Sequence, residues 1–293
     1  SGYWTSWYEL IGAANVVLHY TDQINVSQER KNFYKGQGHF YRAIAYWRLV
    51  QTWGDCVIIG DDAKLETAFP KSSWSEVLDY TINEVRQAVA LLPEYDKIQD
   101  SQGNVPEYKN VPCKGAANAL LAHLCAMKAG WKWFARPEDQ NFNEQEYWEE
   151  AEKACTSIIG SETAQSAGIY HLVATPEEVS TVVFKGKSTE SIFEMRYAPY
   201  WDEIGKNMDS EYYTTYLDSW ALTYCYWVLL VEINGSGLDC IKDQKQLIRA
   251  STVDKWFPKG DLRRETYFWK LDSMNHDTLR YVTGGFAYPY LFR

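Results

Sequence analysis

Between Tyr197 and Trp227 the chain sets flat rings among short polar side chains. Tyr200, Trp201, Tyr212, Tyr213, Tyr216 and Trp220 lie among Asp202, Glu203, Asn207 and Asp209. An exposed indole or phenol can stack on the C–H face of a sugar ring without first shedding much water. Amides and carboxylates beside it can bond the hydroxyls at the ring edge. The same stretch carries Asp202 and Asp218. Cleaving a glycosidic bond takes two carboxyl groups at a fixed separation, one with a raised pKa, and no spacing singles these two out. An all-α glycoside hydrolase or lyase is therefore the enzymatic alternative to simple binding. No Ser–His–Asp order, phosphate loop, CxxC pair or Cys/His ligand spacing occurs, and the five histidines are scattered. The sequence assigns no catalytic residue, no metal ligand and no cofactor.

Composition narrows the ligand class. The 293 residues include 13 Trp, 22 Tyr and 11 Phe, 16% of the chain, with a formal net charge of −10 and a pI near 5.1. A field of that sign repels phosphate backbones, which argues against nucleic acid, and disfavours docking on anionic lipid. Neutral ligands such as sugars meet no such penalty. The longest apolar run, Tyr224 to Val231, is far too short to cross a bilayer. No signal peptide or lipidation motif appears, and both ends read as cuts through a larger protein. Cys125 and Cys155 fall in helical patterns and read as buried, free thiols; a Cys225–Cys240 disulfide has no sequence support.

The elements that must carry the rings are helices. Apolar residues at steps of three and four mark a helix from Tyr3 to His19 and a longer one from Ser27 to Trp53, closed by Gly54. Asn15, inside the first, reads as a side chain bonding nearby backbone. Phe40, Ala43, Trp47 and Val50 share a face of the second, with Arg42 and Arg48 at its flanks. Cys56 to Ile59 reads as extended. Ser73 and Glu76 form a capping box for a third helix ending at Pro93. Glu94 to Pro112 reads as a surface loop. A fourth helix runs from Lys114 to Lys132, with Ala117, Leu120, Leu121, Leu124 and Met127 inward. A fifth runs from the Asn143/Glu146 cap to Ile159, and Glu149, Glu150 and Glu152 lie on its solvated face. His39 and His123 read as helix-packing residues, and Arg42 and Asp55 as a charge pair or cap at the helix–turn junction.

Helices two and three, and four and five, make hairpins similar to degenerate tetratricopeptide units, which stack because one pair cannot bury its apolar face. After Gly168 the pattern changes. Ile169 to Leu172 reads as extended, Thr175-Pro176 as a helix start, and Ser191 to Arg196 and Glu265 to Lys270 as strands. The expected fold is thus mainly α: tetratricopeptide-like stacked hairpins over residues 1–165, with an irregular, loop-rich second lobe and a few short strands over 166–293, packed on the stack as one unit. A helical-repeat scaffold for protein interaction is the third functional reading.

Five segments in order resemble the RagB/SusD family of outer-membrane nutrient-binding lipoproteins. They are Ala14–Leu18; Tyr41–Val50 with Trp53-Gly54-Asp55; Lys114–Ala122 with Gly130-Trp131; Thr189–Glu194; and Gly260–Arg263. Pro289–Arg293 is similar to the start of a later family helix. The resemblance spans nearly the whole chain and implies a fragment of a cell-surface protein. Such a protein is lipid-anchored through a segment this chain lacks, captures oligosaccharide or polysaccharide without cleaving it, and delivers it to a TonB-dependent outer-membrane barrel in a starch-utilization-like system. It also implies that the ligand site includes the rings after the fourth segment: Tyr200, Trp201, Tyr212, Tyr213, Tyr216 and Trp220. Cys56 departs from the apolar residue usual in the family. One member of the family's aromatic platform lies upstream of the first helix, so this chain cannot supply it.

Overall fold

A computed structural model of the chain describes residues 2–60, 69–100, 102–131, 140–160, 168–183, 188–194, 248–268 and 286–287. The chain divides into two compact units, Ser1–His171 and Leu172–Arg293.

The first unit is a stack of five helices: α1 (Gly2–Tyr20), α2 (Gln28–Trp53), α3 (Trp74–Leu91), α4 (Lys114–Trp131) and α5 (Glu144–Ile159). Each packs against the next in order, the tetratricopeptide-like hairpin stack expected from the spacing. Ser27 caps α2, and Ser73 with Glu76 forms the full capping box of α3. Asn143 caps α5 by accepting from the Gln145 N–H. Gly54 ends α2 at φ 72°, in the region that only glycine enters without strain.

Packing departs from the one-face expectation on α2. Arg42, expected at the flank, is buried, and Ala45, Tyr46 and Leu49 join Phe40, Ala43 and Val50 in the core, while Trp47 is only half-buried. The reason is position: α2 lies between α1 and α3 and must bury two faces. On α4, Lys128 is fully buried. Its ammonium donates to the Ser75 carbonyl at 3.0 Å, pairs with Asp79 at 3.1 Å, and lies 4.8 to 5.7 Å from the ring centres of Phe142, Trp74 and Tyr147. Carboxylate, carbonyl and ring faces together replace the water such a charge would otherwise hold.

The loop after α3 is not simply a surface loop. Tyr95, Ile98 and Lys109 are buried, with the Lys109 ammonium over the rings of Tyr170 and Tyr95. Tyr170 in turn covers Gly115, where a Cβ would lie 2.6 Å from the tyrosine Cε2. Gly115→Ala is therefore expected to lower stability by about 1–3 kcal/mol, measured by urea unfolding; an unchanged midpoint would show that Tyr170 gives way freely.

In the second unit a capping box on Thr175 starts α6 (Pro176–Thr181), as the sequence indicates. Two expected strands are corrected. Residues 191–194 form no strand: Ser191, Ile192 and Phe193 are all half-buried and Glu194 is buried, so the alternation in sequence has no counterpart in burial. Residues 263–267 form a helix, α8 (Arg263–Tyr267), instead of a strand. Its start is set by Asp261, whose carboxylate accepts the Arg263 N–H and pairs with the Arg263 guanidinium. That pairing holds the Asp261 carboxyl down at about 2. The preceding helix α7 (Ala250–Trp256) was not anticipated. It follows β1 (Ile248–Arg249), which pairs antiparallel with β2 (Phe286–Ala287). Buried Arg264 bonds the Phe257 carbonyl and Asp254, tying α8 to α7.

Cys56, Cys113 and Cys125 are buried and free, but Cys155 is exposed, against expectation. On α5 it follows Ala154 and belongs to the same outward face as Glu152. Burial raises the Cys56 thiol to about 11 and that of Cys125 to about 12, so both stay protonated and unreactive. Of these four thiols, only Cys155 is expected to react rapidly with a disulfide reagent on the folded chain, as peptide mapping would show.

Candidate functional site

The first unit is organised around a buried polar knot. Arg42 on α2 reaches Glu84 on α3 through two hydrogen bonds, Nε to Oε2 at 2.7 Å and Nη2 to Oε1 at 2.8 Å. Its Nη1 donates to Asn15 Oδ1 on α1 at 2.8 Å. His39 Nδ1 lies 2.8 Å from Glu84 Oε2. Burial alone would push the Glu84 carboxyl up; the hydrogen bonds from His39 and Arg42 outweigh it and hold the carboxyl below the ordinary range. Asn15 then passes the order on. Its Nδ2 donates to the carbonyls of Ile59 and Gly60, so it bonds backbone far away in sequence rather than nearby.

Two tyrosines clamp the same extended segment. Tyr8 Oη donates to the Val57 carbonyl and accepts the Val57 N–H; Tyr46 Oη does the same for Ile59. Residues 57–60 thereby gain side-chain partners in place of a neighbouring strand. Asp55 Oδ1 accepts the Trp74 N–H at 2.9 Å, an additional cap on α3. Asp55 thus supplies the expected junction cap, whereas Arg42 forms its charge pair with Glu84, between α2 and α3. Enclosure raises the Tyr46 hydroxyl to about 12 and raises Tyr8 as well. These groups support the stack, and none is poised for proton transfer near neutral pH.

Rings gather where α1 begins and α2 ends. Trp4 sits 5.1 Å from Tyr8 and edge-on to Trp53 at 5.2 Å. Trp53 is 38% exposed and Tyr3 77%. This is an outward aromatic surface resting on the clamped segment. The sequence held its signal, Trp4, Trp7 and Tyr8 on one helix, but the pairing with Trp53 is a tertiary fact. His123 packs edge-on against Trp47, and burial lowers its basicity. Glu149 and Glu152 are exposed as expected, whereas Glu150 pairs with Arg86 of α3 at 2.5 Å.

The six rings at Tyr200, Trp201, Tyr212, Tyr213, Tyr216 and Trp220, like Cys225 and Cys240, lie outside the described residues. Among the described residues no group of three or more His, Cys, Asp or Glu side chains could hold a metal ion, and no helix is long and apolar enough to cross a membrane.

Stacked hairpins with a polar knot across the first three helices define a tetratricopeptide-like unit. Residues 1–125 match the SusD-like family described as starch-binding and associating with the outer membrane. A SusD-like protein of Bacteroides ovatus is 27% identical over 136 residues, 45% of this chain and 23% of that protein. A laminarin-binding SusD-like protein of known structure superposes with a TM-score of 0.52 at 22% identity, over 67% of this chain and 37% of its own. A crystal structure with xylogluco-oligosaccharide gives 0.51 at 22%, over 68% and 36%. The matched stretch spans about a quarter of the length of the curated relative. The helical unit is thus similar to the SusD-like family over residues 1–125, the stretch that holds the first two of the five segments and Lys114–Ala122 of the third.

Proposed function

We propose that the chain is part of a non-catalytic glycan-binding protein of the bacterial outer-membrane surface, which hands oligosaccharide or polysaccharide to a TonB-dependent barrel. The observation that carries this reading is the SusD-like match over residues 1–125. Two solved structures that superpose on about two thirds of the chain are described with laminarin or xylogluco-oligosaccharide, which supports a saccharide as ligand here. The rings from Tyr200 to Trp220 are the proposed contact surface, beside Asp202, Glu203, Asn207 and Asp209. Glycosidic cleavage would need a carboxyl with a raised pKa; Glu84 is the carboxylate most deeply engaged in the knot, and it is shifted the other way.

Incubation of the chain with laminarin, xyloglucan and starch tests binding against catalysis. Retention of the chain on at least one polysaccharide with no new reducing ends is expected. Steady release of reducing ends would make it a hydrolase, and new unsaturated ends would make it a lyase.

A further inference from the structure

In the second unit, the stretch Ser188–Glu194 holds more oxygen than its packing uses. Five of its seven side chains, Ser188, Thr189, Glu190, Ser191 and Glu194, end in oxygen. Ser188 and Glu194 are buried, and Glu190 and Ser191 are half-buried. Oε2 of Glu190 and Oε2 of Glu194 are both shut away from solvent, and neither meets a hydrogen-bond donor among the described residues. Glu194 is only 8% exposed. Glu84, buried to the same degree, shows what such a carboxylate ordinarily draws: two hydrogen bonds from Arg42 and a contact from His39. A carboxylate out of reach of water is costly unless a donor or a cation completes it.

The donor set says which cation would serve. The stretch offers carboxylate and hydroxyl oxygens and contains no sulfur or imidazole, which suits a hard ion. Its backbone bends at Thr189, Glu190 and Ile192 and joins no strand, so carbonyl oxygens can turn toward one point. The Ser188 hydroxyl accepts the Glu190 N–H at 3.0 Å, which steadies the first of these bends. Calcium takes about six to eight oxygens from carboxylates, carbonyls and water in loose geometry, and two carboxylates suffice among them. Magnesium holds to an octahedron and keeps several waters, for which an enclosed carboxylate leaves little space.

We infer that the Ser188–Glu194 loop binds one calcium ion through the carboxylates of Glu190 and Glu194. The site is separate from the rings proposed to contact glycan.

The probe is calcium alone, titrated by calorimetry into the full 293-residue chain after treatment with chelator. Saturable binding near one ion per chain is expected, weakened about tenfold or more in Glu194→Gln, in Glu190→Gln and when magnesium replaces calcium. Thermal melting separates ligation from a merely structural role. In chelator, Glu194→Gln should melt at or above the parent, because a neutral amide costs less to bury than an unpaired charge. In saturating calcium the order should reverse, because the parent alone keeps the full site. Glu190→Gln, at a half-buried position, repeats the comparison should Glu194→Gln not fold. No heat from calcium, equal affinity for magnesium, or the same calcium-driven rise in parent and variants would overturn the inference.

Discussion

Glu84→Ala is expected to cost about 3–5 kcal/mol of folding stability. The substitution removes both carboxylate hydrogen bonds from the Arg42 guanidinium, 3% exposed, and strips His39 of its carboxylate. Small domains hold only about 5–15 kcal/mol in all, so the variant should sit near its unfolding threshold at 37 °C. Arg42→Met combined with Glu84→Leu should recover much of the loss, because two apolar residues avoid the buried charge without its counter-charge that either single change creates. Urea unfolding of the parent and the two variants gives the numbers. A loss below about 1 kcal/mol for the single variant would mean that water reaches the pair freely.

The same knot sets the response to acid. The hydrogen bonds from His39 and Arg42 hold the folded Glu84 carboxyl below its ordinary range, so its contribution is fully present above the unfolded pKa. It is lost as pH falls from there through the folded value. Stability of the parent should therefore decline below about pH 4.3, and Glu84→Gln should flatten that part of the decline. Equal slopes in parent and variant would remove Glu84 from the acid response.

Loss of the ring pair at Trp201 and Trp220 should remove most glycan affinity. A single stacking contact contributes on the order of 1–2 kcal/mol, so Trp201→Ala with Trp220→Ala should weaken binding about thirtyfold to a thousandfold. A parent that binds between millimolar and micromolar, about −4 to −8 kcal/mol, would then bind weakly or not at all. The thermal midpoint should hold, because rings on the proposed contact surface would contribute little to the core. A collapse of the midpoint would instead assign these rings to packing.

The helices were legible because their signals are local. Ser73 with Glu76, Thr175 with Pro176 and Gly54 each fix an end by bonding within a few residues, and apolar steps of three and four fix the buried faces. What escaped the sequence depends on long-range partners. Arg42 looked like a flanking charge until Glu84, 42 positions away, came beside it. Lys128 sits in an Ala- and Leu-rich helix at a core-facing step from Leu121 and Leu124, a signal that was present, but the rings of Trp74, Phe142 and Tyr147 that house it come from other elements. The alternation read from Ser191 has no strand over its described part, residues 191–194, and where a strand was read from Glu265, Asp261 turns the chain into a helix over Arg263–Tyr267 through bonds no periodicity reveals.

Affinity electrophoresis tests the central claim most directly. The parent chain and the Trp201/Trp220 double variant are run in gels cast with and without laminarin, xyloglucan or starch, beside a non-binding protein. Retardation of the parent by at least one polysaccharide, abolished in the double variant at an unchanged melting temperature, is the predicted result. Parent and variant migrating together in every gel, whether both retarded or both free, would contradict it.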